Sequence, residues 1–264
     1  MNNTFNIKRF IALLKKTLFE KPVQTFGFTG LLLAVVLILY AVVKSLSGFA
    51  AAQNLAFIWG LAGGGFFLAS FVFGYFNSNA SGSSYLTLPA SLFEKWLCGI
   101  LIAGILYPLI FLLFYRVIDN SFVSIYHHSL DTSSPFYKQQ YESVFIFDFN
   151  GIVAWKVYSM FFFLTGAMLT GSLYFNKVAF IKTAIVLCVL FFGLTGLNAL
   201  IAKMLFGNIN DSSPFNGVVI PVGKEEGRIE LPSGIVNIFN YSLWYIVPAI
   251  LWLLSFTRLR EKEF

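Results

Sequence analysis

Six long apolar runs without a charged residue constrain this chain more than any other feature of its sequence. A helix needs about 20 apolar residues to cross the hydrocarbon core of a bilayer, and it satisfies its backbone hydrogen bonds internally. We therefore expect an all-α integral membrane protein with about six transmembrane helices. The predicted spans are Pro22–Val43, Leu55–Phe76, Trp96–Tyr115, Val157–Asn176, Thr183–Ala202 and Val236–Phe256.

The composition agrees with a membrane protein. Of the 264 residues, 58% are hydrophobic and only 11% are charged, whereas about a quarter of the residues in a soluble domain are charged. A soluble fold of this length could not bury so much apolar surface. The net charge of +6 arises mainly from the basic tails, which favours a lipid bilayer rather than nucleic acid as the partner.

The distribution of Lys and Arg predicts the orientation of the chain. The tail at residues 1–26 is basic, and Lys and Arg are more frequent on its side of the predicted spans than on the other. The positive-inside rule then places the tails at 1–26 and 257–264 in the cytoplasm, with a six-helix membrane domain at 27–256 between them. We expect a multi-pass protein of the inner (cytoplasmic) membrane.

The N-terminal tail has the pattern of an amphipathic helix. Apolar residues at helical spacing form one face, basic residues form the other, and Pro22 ends the helix. Such a helix lies in the membrane interface, either in a mechanical role or as a basic anchor with no specific role. The residues predicted to form this interfacial helix are Ile7, Phe10, Ile11, Leu14, Lys15, Lys16 and Leu18.

The second span is rich in small residues. It contains two pairs of small residues four positions apart, Gly60 with Gly64 and Ser70 with Gly74. Such pairs allow helices to approach closely in a membrane. We expect a close helix contact here, either within the chain or between two chains.

Two long loops are predicted on the outer side, at 116–156 and 203–235. In the second loop, apolar residues flank a Gly/Lys/Glu turn between Val218 and Leu231, which is typical of a small β-hairpin. In the first loop, His127 and His128 are adjacent, and neighbouring side chains seldom converge on one metal ion. We expect a solvated loop and no metal site.

The sequence lacks the residues that several functional classes of membrane protein normally require. No ionisable side chain lies near the middle of a predicted span, although proton-coupled carriers normally need one there. The chain has no phosphate-binding loop, no zinc-protease motif and no nucleophile–base pair at matching depth. We therefore expect that the chain is not an enzyme and that it carries no cofactor of its own.

The predicted cytoplasmic segment at 77–96 differs from an ordinary loop. It begins with small polar residues and continues from Tyr85 to Lys95, where Pro89 suits a first helical turn, with Thr87 or Leu88 near the cap. We expect Glu94 and Lys95 to lie in water, while the opposite side of this short helix is apolar. That apolar side consists of Leu88, Leu92 and Phe93.

This segment resembles the permease subunits of type-2 ATP-binding-cassette exporters. In that family a Tyr-Leu-Thr-Leu-Pro-Ala-Ser-x-x-Glu-Lys pattern follows the second of six spans. The resemblance implies that residues 77–96 form a coupling helix, which docks on a separate ATPase subunit, and that the tail is a connecting helix. It also implies a second permease copy or a paralogue, with ATP and Mg bound to the ATPase. The implied coupling residues are Tyr85, Leu86, Leu88, Pro89, Ser91, Leu92, Glu94 and Lys95.

Other functions remain open at this stage. A non-transporting membrane scaffold or envelope assembly protein explains the missing intramembrane charge equally well. A small secondary carrier or channel would need a polar pore or inverted repeats, and the sequence shows no convincing repeat. The substrate and the direction of transport are not defined by the sequence, although the many aromatic residues slightly favour an amphiphilic substrate.

Overall fold

The structure, a computed structural model, describes residues 5–20, 22–77, 79–175, 178–207, 209–214, 217–222 and 225–262. Residue 78 of the predicted coupling segment lies outside the described residues. The same holds for residues 208, 215–216 and 223–224 of the loop at 203–235.

Nine helices and three strands account for most of the described residues. Six of the helices are long and apolar enough to cross a membrane, as the sequence predicted. The long helices are α2 (Thr25–Ser47), α3 (Phe49–Val72), α5 (Leu92–His128), α7 (Ile152–Tyr174), α8 (Ala179–Phe206) and α9 (Ser233–Glu261). The short helices are α1 (Ile7–Phe19), α4 (Asn79–Leu86) and α6 (Tyr137–Glu142).

The chain is not entirely helical. Strands β1 (Asp211–Ser213), β2 (Gly217–Val222) and β3 (Glu225–Glu230) form an antiparallel sheet in the order β1-β2-β3. β2 and β3 form a hairpin within the region where the sequence predicts one, and β1 adds a strand that was not predicted. The sheet connects α8 to α9.

The third span is longer than the sequence predicted. The apolar run ends at Tyr115, but α5 continues to His128 and has 37 residues. Beyond Tyr115 the helix still buries an apolar face through Ile118 and Val123. The Arg116 and Asp119 side chains there form hydrogen bonds with other parts of the chain. The loop predicted at 116–156 therefore begins with a helical segment.

Two apolar clusters hold the helices together. One lies at the α1 end of the bundle and includes Phe10 and Leu13 of α1, Phe73 of the chain after α3 and Met168 of α7. The other lies toward the far end of α5 and is rich in aromatic rings, including Phe57, Tyr107, Phe111, Tyr115 and Phe161. α5 contributes to both clusters and so runs the full length of the core.

The predicted small-residue contact lies within the chain for the first pair. A Cβ atom at Gly60 would overlap the Phe111 ring, and one at Gly64 would overlap the Tyr107 hydroxyl group. That hydroxyl donates a hydrogen bond to the Gly60 carbonyl. In the second pair, the Ser70 hydroxyl donates only to its own helix, and Gly74 lies in a 3-10 turn after α3.

We predict that Gly64→Ala destabilises the protein by about 1–3 kcal/mol, because the new methyl group must displace the Tyr107 side chain. The matched control is Gly196→Ala in α8, where nothing lies within 4 Å of the added Cβ. Thermal unfolding in detergent, followed by size-exclusion chromatography, measures both variants. Equal unfolding temperatures for the two variants would show that α3 and α5 are not closely packed at Gly64.

Candidate functional site

The predicted coupling segment (residues 77–96) turns sharply between α4 and α5. α5 begins with a capping box: the Ser91 hydroxyl accepts from the Glu94 N–H at 3.2 Å, and the Glu94 carboxylate accepts from the Ser91 N–H at 2.8 Å. The predicted cap at Thr87 or Leu88 is wrong, because both residues precede the bend that contains Pro89. Ser91 starts the helix instead, since only Ser91 has a glutamate three positions later to complete the box.

The prediction that Glu94 lies in water is also wrong. Its side chain is fully buried, and its carboxylate accepts hydrogen bonds from the Asn6 N–H at 2.7 Å and from Arg9 Nη2 at 3.0 Å. Asn6 caps α1 as well, because its side chain accepts from the Lys8 and Arg9 N–H groups. Glu94 therefore joins the start of α1 to the start of α5 through charge-assisted hydrogen bonds.

Lys95 is likewise fully buried and not in water as predicted. Its ammonium group donates to the Leu86 carbonyl at 2.7 Å, at the end of α4. A cation suits this position because the last carbonyls of a helix carry partial negative charge. Glu94 and Lys95 thus fix α1 and α4 to the first turn of α5. We call this set (Asn6, Arg9, Ser91, Glu94, Lys95 and the Leu86 carbonyl) the clamp.

Stacked tyrosines attach α4 to the chain after α3. The Tyr85 ring stacks on the Tyr75 ring with their centroids 4.7 Å apart, and the Tyr75 hydroxyl donates to Glu20 at 3.0 Å. Burial raises the pKa of Tyr85, and burial together with the Glu20 carboxylate raises the pKa of Tyr75. The Tyr75–Tyr85 stack and the hydrogen bond to Glu20 thus join α4 to the chain after α3 and to the end of α1.

The clamp leaves one side of the coupling segment exposed. Leu86, Leu88 and Leu92 are only half-exposed, because they pack against the apolar cluster at the α1 end. The exposed positions of the segment, apart from Pro89, are not among the implied coupling residues. The exposed residues are Ser83, Ser84, Thr87, Pro89 and Phe93.

The predicted apolar face of α1 divides into two parts. Phe10 is buried, as is Leu13, which the sequence analysis did not select, and Leu14 and Leu18 are half-buried against the protein. Ile7 and Ile11 are exposed. The predicted basic residues Lys15 and Lys16 are exposed as well. α1 is therefore fixed to the bundle by one apolar stripe, and a second stripe is free to contact lipid.

A buried carboxylate in α5 was missed by the sequence analysis. Asp119 is fully buried, and one of its oxygens accepts from the Tyr40 hydroxyl at 2.8 Å and from Gln53 Nε2 at 2.9 Å. The other oxygen accepts from the Phe147 N–H at 2.7 Å. α2, α3, α5 and the loop before α7 thus meet at one side chain. Asp119 lies in the part of α5 beyond the predicted span, which the sequence analysis assigned to a loop.

Neighbouring residues extend this network, which we call the Asp119 cluster (Tyr40, Gln53, Tyr115, Arg116, Asp119 and Phe147). The Tyr115 hydroxyl donates to the Gln53 carbonyl at 2.8 Å, and Arg116 donates to the Phe147 carbonyl at 3.1 Å. The Arg116 guanidinium lies 4.0 Å from the centre of the Phe149 ring. With three donors on one carboxylate, the cluster is suited to holding the loop in place rather than to transferring protons.

The histidines lie near this loop. His127 contacts the Val144 carbonyl at 2.9 Å, and its ring stacks on the Tyr141 ring at 3.9 Å. His128 ends α5 and contacts the Ser124 carbonyl at 2.8 Å. Within the described part of the chain, no three His, Cys, Asp or Glu side chains are grouped closely enough to hold a metal ion.

Compared with protein-family models, with curated proteins and with solved structures, the chain matches none of them. The geometry of the clamp and of the exposed coupling segment is therefore the basis for assigning a function.

Proposed function

We propose that the chain is the permease subunit of an ATP-binding-cassette transporter in the inner membrane. A separate ATPase subunit, which binds ATP and Mg, docks on the coupling segment at 77–96. Closure of the ATPase moves α1, α4 and α5 together, and a substrate then crosses the membrane. The observation that carries this proposal is the clamp, because Glu94 and Lys95 join the coupling segment directly to a membrane-spanning helix.

A segment that transmits force must not bend at its attachment. A flexible loop would absorb the displacement of a partner, whereas buried and hydrogen-bonded side chains move as one unit with the helix that carries them. Here the attachment uses a capping box, a buried carboxylate and a buried ammonium group within the first turn of α5. An ordinary loop on a membrane scaffold needs no such attachment, and this favours the permease over the scaffold.

A second copy of the chain, or a paralogue, would complete the translocation path. α8 supports this part of the proposal, because only Ala179, Thr183 and Ala202 of its 28 residues are buried. The rest of α8 presents an apolar surface that a second subunit or lipid must cover.

An amphiphilic substrate is favoured by a groove between α5, α7 and α9. The groove has a volume of about 590 Å³ and is lined mainly by aromatic and aliphatic side chains. Trp252 is held in its wall because its indole N–H donates to the Phe162 carbonyl at 2.9 Å. The other aromatic residues in the lining are Trp155, Tyr158, Phe162, Trp244 and Tyr245.

The exposed side of the coupling segment gives a direct test. We predict that Thr87→Arg lowers the amount of ATPase that copurifies with the tagged chain at least about tenfold, because a charged side chain at the centre of a docking surface is poorly tolerated. The protein should remain folded, since Thr87 is exposed. Leu88→Asp and Leu92→Asp also lower binding in this account, but both side chains contact the core.

The matched control is Thr132→Arg, which makes the same substitution at an exposed position beyond the other end of α5. This control variant should retain the ATPase at the wild-type level. If Thr87→Arg and Thr132→Arg copurify with equal amounts of ATPase, the coupling segment is not the docking site.

A further inference from the structure

Strand β3 has a free edge. The sheet order β1-β2-β3 leaves β3 paired with β2 on one side only, and no described residue pairs with its other side. Such an edge carries unpaired backbone N–H and C=O groups, which another strand can pair with. Six consecutive residues, Glu225–Glu230, are available there.

The pairing within the sheet shows which residues face this edge. The Val219 carbonyl points toward the β1 side of β2, because it accepts from the Asn210 N–H at 2.8 Å. Neighbouring residues in a strand direct their backbone groups to opposite sides, so Val218 and Ile220 of β2 face β3. Their partners Ile229 and Gly227 face back toward β2. The backbone groups directed to the free edge therefore belong to Glu226, Arg228 and Glu230.

The charges on these residues distinguish the registers in which two copies of β3 could pair antiparallel. Outward-facing residues must pair with outward-facing residues, so the two-fold axis passes through a residue of β3 and not between two residues. An axis at Ile229 places Arg228 opposite Glu230, but it pairs only residues 228–230 of each strand, whereas an axis at Gly227 pairs residues 225–229. An axis at Glu226 or at Arg228 places two like charges opposite each other. An axis at Gly227 instead places Glu226 of each copy opposite Arg228 of the other. Opposite charges directly across antiparallel strands stabilise the pair, and like charges destabilise it.

We propose that β3 pairs antiparallel with β3 of a second copy of this chain, with the two Gly227 residues on the two-fold axis. The two sheets then form one continuous sheet beside α8 and α9. Within one chain, Arg228 contacts Glu230 at 2.9 Å, and Asn210 donates to Glu226 at 2.9 Å. More than half of the Arg228 and Glu230 side chains is exposed, and an exposed ion pair is weak. Arg228 can therefore turn toward Glu226 of the second copy.

This inference rests on the proposed function only in requiring a second copy, and it narrows that partner to an identical chain. Pairing of the strands does not depend on the ATPase, so it is tested independently of the coupling segment. Loss of the ATPase in a pull-down would leave this interface intact, and failure of the strand pairing would leave ATPase docking untouched.

Disulfide crosslinking in native membranes tests the pairing. In a background with Cys98→Ala and Cys188→Ala, Gly227→Cys places two cysteines in a pair without mutual hydrogen bonds, where the Cα atoms are about 4.5 Å apart and a disulfide can form. We expect mild oxidation to give a disulfide-linked dimer. Ile229→Cys is the matched control on the same face of the strand, and it should stay monomeric because residue 229 lies opposite residue 225 of the other copy.

Charge exchange tests the register. Glu226→Arg or Arg228→Glu alone should lower the crosslinked fraction at Cys-substituted position 227 about fivefold, and combining the two substitutions should restore it. The proposal is overturned if Gly227→Cys stays monomeric while its thiol still reacts with maleimide. It is also overturned if Ile229→Cys crosslinks equally well, or if the combined substitutions do not restore the dimer.

Discussion

Glu94→Ala should release α1 from the membrane domain. The substitution removes the acceptor for the Asn6 and Ser91 N–H groups and leaves the Arg9 guanidinium without its carboxylate. Removing one partner of a buried ion pair costs about 3–5 kcal/mol, and we expect the lower end of this range because Arg9 is partly exposed. The clamp then opens, and the coupling segment loses its fixed position.

Cys98 reports on this release. Its thiol is buried and lies 3.8 Å from the Thr17 hydroxyl of α1. Maleimide should therefore label Cys98 much faster in Glu94→Ala than in the wild type, in a background with Cys188→Ala. Glu261→Ala is the control, because it removes an exposed ion pair with Arg258 and should have little effect. Slow labelling of Cys98 in Glu94→Ala would mean that other contacts alone hold α1.

Asp119→Ala should destabilise the far end of the bundle. It leaves the Tyr40 hydroxyl and the Phe147 N–H without their acceptor. The Gln53 amide loses one of its two acceptors and keeps the Phe145 carbonyl. Each buried donor that loses its partner costs about 1–3 kcal/mol, so we expect a total loss of about 3–5 kcal/mol. Asp119→Asn should also destabilise the protein, because an amide cannot accept from all three donors in this geometry.

Thermal unfolding and limited proteolysis measure this effect. The loop that contains Phe147 should be cut faster in Asp119→Ala than in the wild type, because its N–H is no longer held. Asp131→Ala is the matched control: Asp131 is exposed and accepts only from the nearby Ser133 N–H, so its loss should cost about 1 kcal/mol or less. Similar behaviour of the two variants would refute the assigned role of Asp119.

The apolar pattern of the sequence is sufficient to predict the membrane-spanning helices. Each predicted run lies largely within a helix of the structure, because a run of about 20 apolar residues has few alternatives to a membrane-spanning helix. The apolar residues that flank the Gly/Lys/Glu turn between Val218 and Leu231 likewise predict the hairpin. Both features arise from residues that are close together in the sequence, so the sequence pattern alone can reveal them.

The charged residues show the limit of such patterns. The sequence predicts Glu94 and Lys95 in water because they are charged and lie opposite the apolar side of a short helix. Their burial depends on Asn6 and Arg9, which are more than 80 positions away from Glu94, and on the fold of α4. One local signal was present, since Ser91 and Glu94 have the spacing of a capping box. The burial of Asp119 is missed for a related reason. Its hydrogen-bond partners lie in three other segments, so no local pattern shows that its carboxylate is inside the protein.

The most direct test of the central claim is a pull-down of the tagged wild-type chain from native membranes in mild detergent, followed by quantitative mass spectrometry. The account predicts an ATP-binding-cassette ATPase in stoichiometric amount, retained by Thr132→Arg and lost from Thr87→Arg. Recovery of the chain alone, or with envelope assembly proteins and no ATPase, would contradict the permease function and favour a membrane scaffold.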